Sequence, residues 1–303
     1  MMADRPLLGV LLMLGFCVLA PMGDSIAKLL GDVVPLGQLI LVRFGVQLAL
    51  LLPLVLISRR ALRMTPRLLW LTLLRTLLHI TGIGAMFLSL RFLPLADAIA
   101  IAFVMPFIML LLGKYVLGEE VGPRRLIACA VGFVGTMLVV QPSFAAVGPP
   151  ALLPLLVAVV FSLFMLVTRH VAKEIDPMTL QTVSGGMAVV ILMPVILLGT
   201  QLEWAELTLV APDPRTWVML GALGTLGTFA HLLMTWSLRF APSATLAPMQ
   251  YLEIPIATII GWIVFRDFPN GLALIGISIT MAAGLYVIYR EQVTSRQARL
   301  SQP

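Results

Sequence analysis

The chain has 303 residues, of which 60% are hydrophobic and 11% are charged, and its mean hydropathy is +1.05. A soluble domain carries about 25% charged residues, so this composition excludes a water-soluble globular protein and indicates a membrane protein. The net charge of +6 does not indicate a nucleic-acid partner. Most Lys and Arg residues stand in short loops between apolar runs and are not interleaved with stacking aromatic residues, as expected of topology signals.

Apolar runs of membrane-spanning length follow one another along the chain. A spanning helix needs about 20 mostly apolar residues. The predicted spans are Leu8–Leu30, Leu36–Ile57, Leu68–Leu90, Leu95–Leu117, Leu126–Val140, Leu152–Thr168, Met178–Leu198, Trp217–Leu238, Ala244–Phe265 and Leu272–Tyr289. The first run continues past Pro21 without a clean small-residue cleavage site, so we interpret it as a helix and not as a cleaved signal peptide. The sequence therefore predicts an all-α integral membrane protein of ten transmembrane helices, with residues 143–150 as its mid-chain linker.

The distribution of Lys and Arg predicts the orientation of these helices. If the N-terminus is cytoplasmic, 14 of these residues fall on the inside and 4 fall on the outside, namely Lys28, Arg91, Arg215 and Arg266. Positive residues concentrate in the cytoplasmic loops of membrane proteins. We therefore expect a multi-pass protein of the bacterial inner membrane with both termini in the cytoplasm.

The chain also repeats itself after 148 residues. The run SLRFLP at 89–94 returns as SLRFAP at 237–242, and at the same offset Gly113 matches Gly261 and Glu119 matches Asp267. The alternative is coincidence between two Leu-rich sequences, but the matching run and the aligned later spans favour duplication. Five spans is an odd number, so the second copy crosses the membrane in the opposite sense. We expect two inverted five-helix repeats, 1–143 and 149–290, around a central cavity, followed by a cytoplasmic tail, 291–303.

With these features the chain resembles the drug/metabolite transporter superfamily, in its EamA-type branch of ten helices. The resemblance covers nearly the whole chain and rests on the short spans, the duplication and several motifs. The motifs are LPLADA at 93–98, Met105-Pro106, LGEE at 117–120 and GFVG at 132–135, echoed by APSA at 241–244, Glu253-Ile254-Pro255 and the Gly-rich span 276–284. The family implies secondary transport of a small organic metabolite through a central cavity lined by both halves, with no cofactor.

The stretch 15–41, which contains APMGDS at 20–25 and PLGQ at 35–38, is similar to EamA-type proteins assigned to riboflavin uptake. It also shares features with those assigned to S-adenosylmethionine uptake. This resemblance makes riboflavin uptake the expected function, with transport of S-adenosylmethionine, amino acids or related metabolites, inward or outward, as the alternative. A membrane-embedded enzyme is the alternative from another class, but no metal-ligand spacing or diphosphate-binding motif surrounds His170 and Asp176. Cys17 and Cys129 form no metal-binding pattern, so no metal site is expected.

Polar residues near the bilayer centre are the candidate substrate-binding residues. A charge there costs about 2.5–3.5 kcal/mol even on insertion-based scales, so it needs a partner or a water-filled cavity. At about 1.5 Å per residue, His79 and Glu253 lie within roughly 2 Å of the midplane, and Arg43, Arg75 and His231 within roughly 6 Å. The complete set of candidates is Glu253, Gln250, Arg75, His79, Arg43, His231, Tyr251 and Trp236, the last two as stacking surfaces for a planar substrate. Phe103, Phe107, Phe229 and Trp262 are further aromatic candidates.

Each candidate has a structural alternative. Glu253 stands where the first repeat has Met105, and it or the two Arg residues could form ion pairs that lock helices together. Both His residues could be hydrogen-bond donors between helices. Each aromatic residue, taken singly, is more often lipid-facing or part of the core.

Two further features near the candidate site have an interpretation without a ligand. Asp24 and Lys28 stand at i, i+4 in the first span, and we interpret them as a pair whose charges neutralise each other. Pro106 and Pro255 are predicted to kink the fourth and ninth spans. Such a bend lines the substrate site in many transporters, but it can also serve packing alone.

Overall fold

In a computed structural model the protein is almost entirely helical over the residues that the structure describes, which are 6–59, 64–116, 123–241 and 246–300. The helices are α1 (Pro6–Leu30), α2 (Leu36–Ile57), α3 (Pro66–Leu90), α4 (Leu95–Ala102), α5 (Met105–Val116), α6 (Pro123–Val147), α7 (Leu153–Ala172), α8 (Pro177–Gln201), α9 (Pro214–Phe240), α10 (Glu253–Ile260) and α11 (Gly271–Leu300). Short 3₁₀ segments cover Pro149–Leu152, Ala205–Leu207 and Ala247–Leu252, and a π-helical turn covers Gly261–Phe265. The motif residues 117–120 and 242–244 lie outside the described residues.

The described residues contain seven helices that are long and apolar enough to cross a membrane. They are Leu7–Leu30, Leu36–Ile57, Pro66–Leu90, Ala130–Val147, Pro149–Ala172, Pro177–Gln201 and Pro214–Phe240. Three shorter apolar segments, Leu95–Met109, Met249–Phe265 and Gly271–Ala283, stand where the fourth, ninth and tenth spans are predicted. The all-α arrangement of ten spans is therefore confirmed. The fourth span is divided into α4 and α5, and the ninth into a 3₁₀ segment, α10 and the π turn.

The predicted mid-chain linker, 143–150, is wrong. Helix α6 continues to Val147, and Gly148 alone separates it from the 3₁₀ turn that leads into α7. Ser143 lies within α6, and its hydroxyl, which has one proton to donate, is 3.0 Å from the carbonyl oxygen of Val139 and 3.2 Å from the carboxylate of Asp97. Gly148 has a φ of +71°, a left-handed conformation that costs glycine little because it has no Cβ.

Three long helices begin with the same local signal. Thr65, Asp176 and Asp213 each accept a backbone N–H of the helix that they cap, and each is followed by Pro at the first helical position. Pro fits there because the first N–H groups of a helix have no intrahelical partner. The hydroxyl and amide of Thr216, with the amide of Arg215, hold the pKa of Asp213 below its usual value. These caps fix where α3, α8 and α9 start.

The two repeats pack with an internal two-fold relation. Helix α1 packs along α9 as its counterpart α7 packs along α3, whereas α2 and α6 pack against their own counterparts, α8 and α11. Helices α6 and α11 pack closely at Gly135, because glycine has no Cβ. A Cβ at this position would stand 2.5 Å from the hydroxyl of Thr280. Since each repeat has five spans, this relation inverts the second repeat with respect to the first, and the facing helices enclose a space between the repeats.

Candidate functional site

A cavity lies between the repeats. Both repeats contribute to its wall, which is mostly apolar and includes the rings of Phe16, Phe87, Phe103 and Phe161. The ionisable side chains on the wall are Asp24, Arg43, His231 and Glu253. Small-molecule sites are typically lined by apolar side chains, with a few polar groups that orient the ligand. The cavity has these properties.

Arg43 is the cation on the cavity wall and one of the sequence-predicted candidates. Its side chain, from α2, is only 3% exposed, and its Nη1 has no hydrogen-bond partner among the described residues. Gly227 on α9 makes room for it, because a Cβ at that position would stand 2.9 Å from Nε. A buried guanidinium N–H without a partner costs free energy. Arg43 therefore has a donor available for a solute in the cavity.

Glu253 enters the cavity wall as the first residue of α10. The ion pairs formed within the described ranges do not include Glu253. Among the described residues, Glu253 therefore has no basic partner with which it could lock two helices together.

The predicted neutralisation of Asp24 by Lys28 is wrong. The Nζ of Lys28 donates to the carbonyl of Leu93 at 2.6 Å and lies 3.8 Å from the carboxylate of Asp267. Asp24 instead lines the cavity, as does Arg43. An i, i+4 ion pair contributes only about 0.2–0.5 kcal/mol, which is too little to hold a long Lys side chain away from stronger partners at the helix end.

Asp24 is the charged site residue that the sequence interpretation missed, and three of the four phenyl rings on the wall, those of Phe16, Phe87 and Phe161, were missed as well. Phe16, Ala20, Gly23 and Asp24 all line the cavity from α1. Their spacing of i, i+4, i+7 and i+8 puts them on one helix face. This shared face is the signal in the sequence, and it would have placed Asp24 with a cavity-lining aromatic residue and two small ones.

Arg75 lies behind the cavity wall and not on it. Its side chain is fully buried, its Nε donates to Thr168 and its Nη1 to Ser184, both at 2.8 Å, and its guanidinium lies 4.6 Å from the centroid of the Phe164 ring. These contacts join α3 to α7 and α8 of the second repeat. They give Arg75 a packing function through hydroxyl groups, whereas its structural alternative was an ion pair, and the ion pairs of the described residues do not include Arg75.

The two histidines meet across the repeats. Nε2 of His79 on α3 lies 3.4 Å from Nε2 of His231 on α9, and the ring of His79 packs between Phe44 and Phe164. His79 is fully buried behind the wall, so His231 alone of the pair lines the cavity. Its ring also lies 5.6 Å from that of Phe16.

The remaining predicted candidates do not line the cavity. Gln250 is fully buried, with Nε2 at 3.5 Å from the sulfur of Met165. Tyr251 packs against Phe103, which does line the cavity, with ring centroids 5.2 Å apart. Trp236 is half-buried on α9, away from the cavity wall.

The breaks in the fourth and ninth spans bring equivalent residues into the site. Helix α5 begins at Met105 and α10 at Glu253, and both residues line the cavity. Pro106 and Pro255 lie in the first turns of these helices, where Pro is tolerated. The carbonyl of Met105 accepts a hydrogen bond from Ser162 at 3.3 Å. The cavity thus lies beside the start of a new helix in each repeat.

The arrangement is complementary to a small, flat solute with a few hydrogen-bonding groups. The phenyl rings offer stacking surfaces, Arg43 offers a donor, and Asp24 and Glu253 offer acceptors. Over the ranges described, His, Cys, Asp and Glu side chains form no group of three or more that could hold a metal ion.

The chain is similar to known transporters in sequence and to a solved structure in fold. The model of the EamA-like transporter family matches residues 7–141 and 149–290. The chain is 28% identical over 228 residues to a riboflavin transporter of Brucella anthropi, covering 74% of this chain and 78% of that one. It is 24% identical to an S-adenosylmethionine uptake transporter of Rickettsia prowazekii, over 94% of both chains. A crystal structure of a protein 18% identical in sequence covers 98% of both chains with a TM-score of 0.66 and has the same fold.

Proposed function

The chain belongs to the EamA-like transporter family, and from that premise we propose that it is a secondary transporter that takes up riboflavin across the bacterial inner membrane. The observation that carries this proposal is the cavity between the repeats, with aromatic side chains and a few polar groups on its wall. Inverted repeats around a site of this kind can expose it to either side by rocking.

The wall of the cavity suits a flavin. The isoalloxazine ring is flat and apolar on its faces, which matches the phenyl rings of Phe16, Phe103 and Phe161. Its carbonyl oxygens can accept from Arg43, and the ribityl hydroxyls can donate to Glu253. The curated relative from Brucella anthropi carries the same proposed activity in its name.

S-adenosylmethionine is the second candidate substrate, and one observation favours it. Two carboxylates, Asp24 and Glu253, face the cavity together with a single guanidinium, that of Arg43, among the described residues. A substrate with a positive sulfonium and an ammonium group would be attracted to such a wall. The relative from Rickettsia prowazekii, which covers nearly the whole chain, is named for uptake of this compound.

The enzyme alternative finds no support at the residues that suggested it. Asp176 caps α8, accepting the backbone N–H groups of Met178 and Thr179. His170 lies 2.8 Å from the guanidinium of Arg67. Both residues thus have local partners consistent with a structural function.

Growth rescue tests the proposed substrate. The gene is expressed in a riboflavin auxotroph that lacks its own importer, and we expect growth on low riboflavin. No rescue despite verified membrane expression would contradict riboflavin uptake. Rescue of S-adenosylmethionine uptake in a matching auxotroph would instead support the second candidate.

The proposed orientation, with both termini in the cytoplasm, has its own test. Reporter fusions at Gly148 and after Ser301 should report a periplasmic and a cytoplasmic location respectively. A periplasmic C-terminus would contradict the orientation, and reporters on the same side of the membrane would contradict an odd number of spans in the second repeat.

A further inference from the structure

Helices α3 and α9 are counterparts in the two repeats and align without a gap. Both begin with a capped Pro-Arg pair, at 66–67 in α3 and at 214–215 in α9, and both lead to the shared run SLRF, at 89–92 and 237–240. The fourth and ninth spans keep the same register, since α5 begins at Met105 and α10 at Glu253. The repeat offset of 148 residues therefore identifies the counterpart of each cavity-lining residue in these segments.

The cavity lies toward one end of the bundle. From α3 it is lined between positions 82 and 87, near the end of that helix, and from α7 between positions 157 and 161, near the start of that helix. Two repeats related by inversion would form the same cavity toward both ends if their conformations were identical, so their conformations differ. Exchange of the two conformations would close this cavity and form its counterpart toward the other end.

Three fully buried polar residues lie behind the cavity wall but are the counterparts of residues on it. The wall residues offer no side-chain hydrogen bond, whereas their counterparts offer a guanidinium, an imidazole and a carboxamide. The pairs, with the wall residue first, are Leu223 with Arg75, Gly227 with His79, and Ala102 with Gln250.

Each of these three counterparts has a buried polar atom without a hydrogen-bond partner among the residues that the structure describes. The atoms are Nη2 of Arg75, Nδ1 of His79 and Oε1 of Gln250. A buried polar atom without a partner costs free energy and is uncommon in folded proteins. A solute that reached these side chains in another conformation would supply the partners that this conformation lacks.

We propose that Arg75, His79 and Gln250 bind the solute in a second form of the cavity, which opens toward the opposite side of the membrane. In that form each residue takes the position on the wall that its counterpart has in the present form. This proposal rests on the proposed transport function and adds three binding residues to it.

The central part of the wall is common to both forms. Ile83 and His231 are counterparts of each other, as are Met105 and Glu253, and all four residues line the present cavity. Exchange of the two conformations therefore keeps them on the wall. The solute stays beside Glu253 and His231, while three neighbouring positions change from Leu, Gly and Ala to Arg, His and Gln. The second form is consequently the more polar one, and it suits the hydrogen-bonding edge of a flat solute.

Cysteine accessibility in membrane vesicles tests this proposal. Single cysteines are introduced into a variant that lacks Cys17 and Cys129 and that melts at the temperature of the wild type. A membrane-impermeant methanethiosulfonate reagent is applied to right-side-out and to inside-out vesicles, and the rate of modification is followed by mass spectrometry. A thiol reacts only in the conformation that exposes it to the reagent, so even a minor conformation gives a signal.

The two walls should react from opposite sides of the membrane. With both termini in the cytoplasm, we expect Ala102→Cys and Leu223→Cys, on the present wall, to react at least about tenfold faster from the periplasmic side. We expect Gln250→Cys and His79→Cys, on the proposed wall, to react at least about tenfold faster from the cytoplasmic side. Either of the last two variants decides the question if the other does not fold.

Thr76→Cys is the matched control on α3. Thr76 is fully buried like its neighbour Arg75, but its counterpart, Gly224, does not line the cavity. This variant should stay unmodified from both sides. Modification of Thr76→Cys as fast as that of His79→Cys would show that α3 becomes accessible as a whole, and it would overturn the proposed wall.

The outcomes separate this proposal from riboflavin uptake. Modification of the two walls from opposite sides, together with no riboflavin uptake by the wild type, would support the second form and contradict riboflavin as the substrate. Folded Gln250→Cys and His79→Cys that react from the same side as Ala102→Cys, or from neither side, would overturn the second form and leave riboflavin uptake intact. Opposite sides in the reverse sense would support the second form and contradict the proposed orientation.

Discussion

The fourth and ninth spans are counterparts in the two repeats, and they have the same architecture but different chemistry. Each span is interrupted near the cavity. A new helix begins at Met105 in the first repeat and at Glu253 in the second. The two first residues stand 148 positions apart, which is the repeat offset. Duplication thus accounts for the shape of the site, whereas a later divergence at one position placed a carboxyl group on one side of it.

The residues just before these helices show the same divergence. Phe103 and Tyr251 are also separated by the repeat offset, and their rings pack on each other. Phe103 lines the cavity and Tyr251 does not. Equivalent positions of the two repeats therefore contribute to the same contact, but only Phe103 lines the cavity.

The largest effect is expected from Glu253→Gln. Gln keeps the size and one acceptor of Glu, so the variant tests the charge and not the shape. Because the ion pairs of the described chain do not include Glu253, we expect near-normal expression and melting temperature. Transport in reconstituted liposomes should be at least about tenfold slower, equivalent to about 1.4 kcal/mol in the activation free energy.

Met105→Gln is the matched control for that variant, because Met105 is the counterpart of Glu253 and lines the same cavity. It introduces the same side chain without removing a charge, and it should slow transport less. Equal transport by the wild type and Glu253→Gln at two pH values would remove Glu253 from the substrate site and leave it a packing residue.

An intermediate effect is expected from the ring pair. Phe103→Leu and Tyr251→Leu both remove one ring of the contact, and each should lower the free energy of unfolding by about 1 kcal/mol. Only Phe103→Leu also removes a stacking surface from the cavity, so only this variant should bind a planar substrate more weakly, by roughly threefold to tenfold. Melting curves and binding isotherms of the two variants measure both quantities. A binding loss of similar size in Tyr251→Leu would show that the ring contact, and not the cavity surface, controls affinity.

The smallest effect is expected from the prolines. Pro106 and Pro255 lie in the first turns of α5 and α10, where the missing N–H would have no helical partner in any case. Pro106→Ala and Pro255→Ala should each change the free energy of unfolding by less than about 1 kcal/mol. Because Glu253 lies two residues before Pro255, a change in transport should be larger for Pro255→Ala than for Pro106→Ala. Equal, severe unfolding of both variants, measured by thermal melts, would show that the prolines are needed to stabilise the breaks.

The fold could be predicted from the sequence because the hydrophobic runs and the internal repeat are both strong signals. Hydrophobic runs of bilayer length and the repeat offset together predict ten spans and the pairing of equivalent helices. The linker prediction was wrong because Gly-Pro-Pro at 148–150 suggested a longer break. Ser143 instead lies within α6, where its hydroxyl is within hydrogen-bonding distance of Val139 and of the distant Asp97, and the second neighbour is not visible in local sequence.

The site could be predicted only in part. The sequence indicates how deep in the membrane each residue lies along its helix, but not the direction in which its side chain points around the helix. Arg43 and Arg75 have similar predicted depths, but Arg43 faces the cavity and Arg75 faces Thr168 and Ser184. Asp24 was predicted to pair with Lys28 because the two residues are only four positions apart in the sequence. The true partner of Lys28, Asp267, is far away in the chain.

We propose that a planar metabolite crosses the membrane through this cavity, and riboflavin counterflow tests this route most directly. Purified protein is reconstituted in liposomes loaded with unlabelled riboflavin, and entry of external labelled riboflavin is followed in time. We predict transient accumulation of label above the external concentration, abolished in empty liposomes and slowed at least about tenfold by Glu253→Gln. Two results would contradict transport by a carrier through this cavity. One is that folded wild-type protein gives no accumulation above that of empty liposomes, and the other is that the label only equilibrates, as it would through a channel.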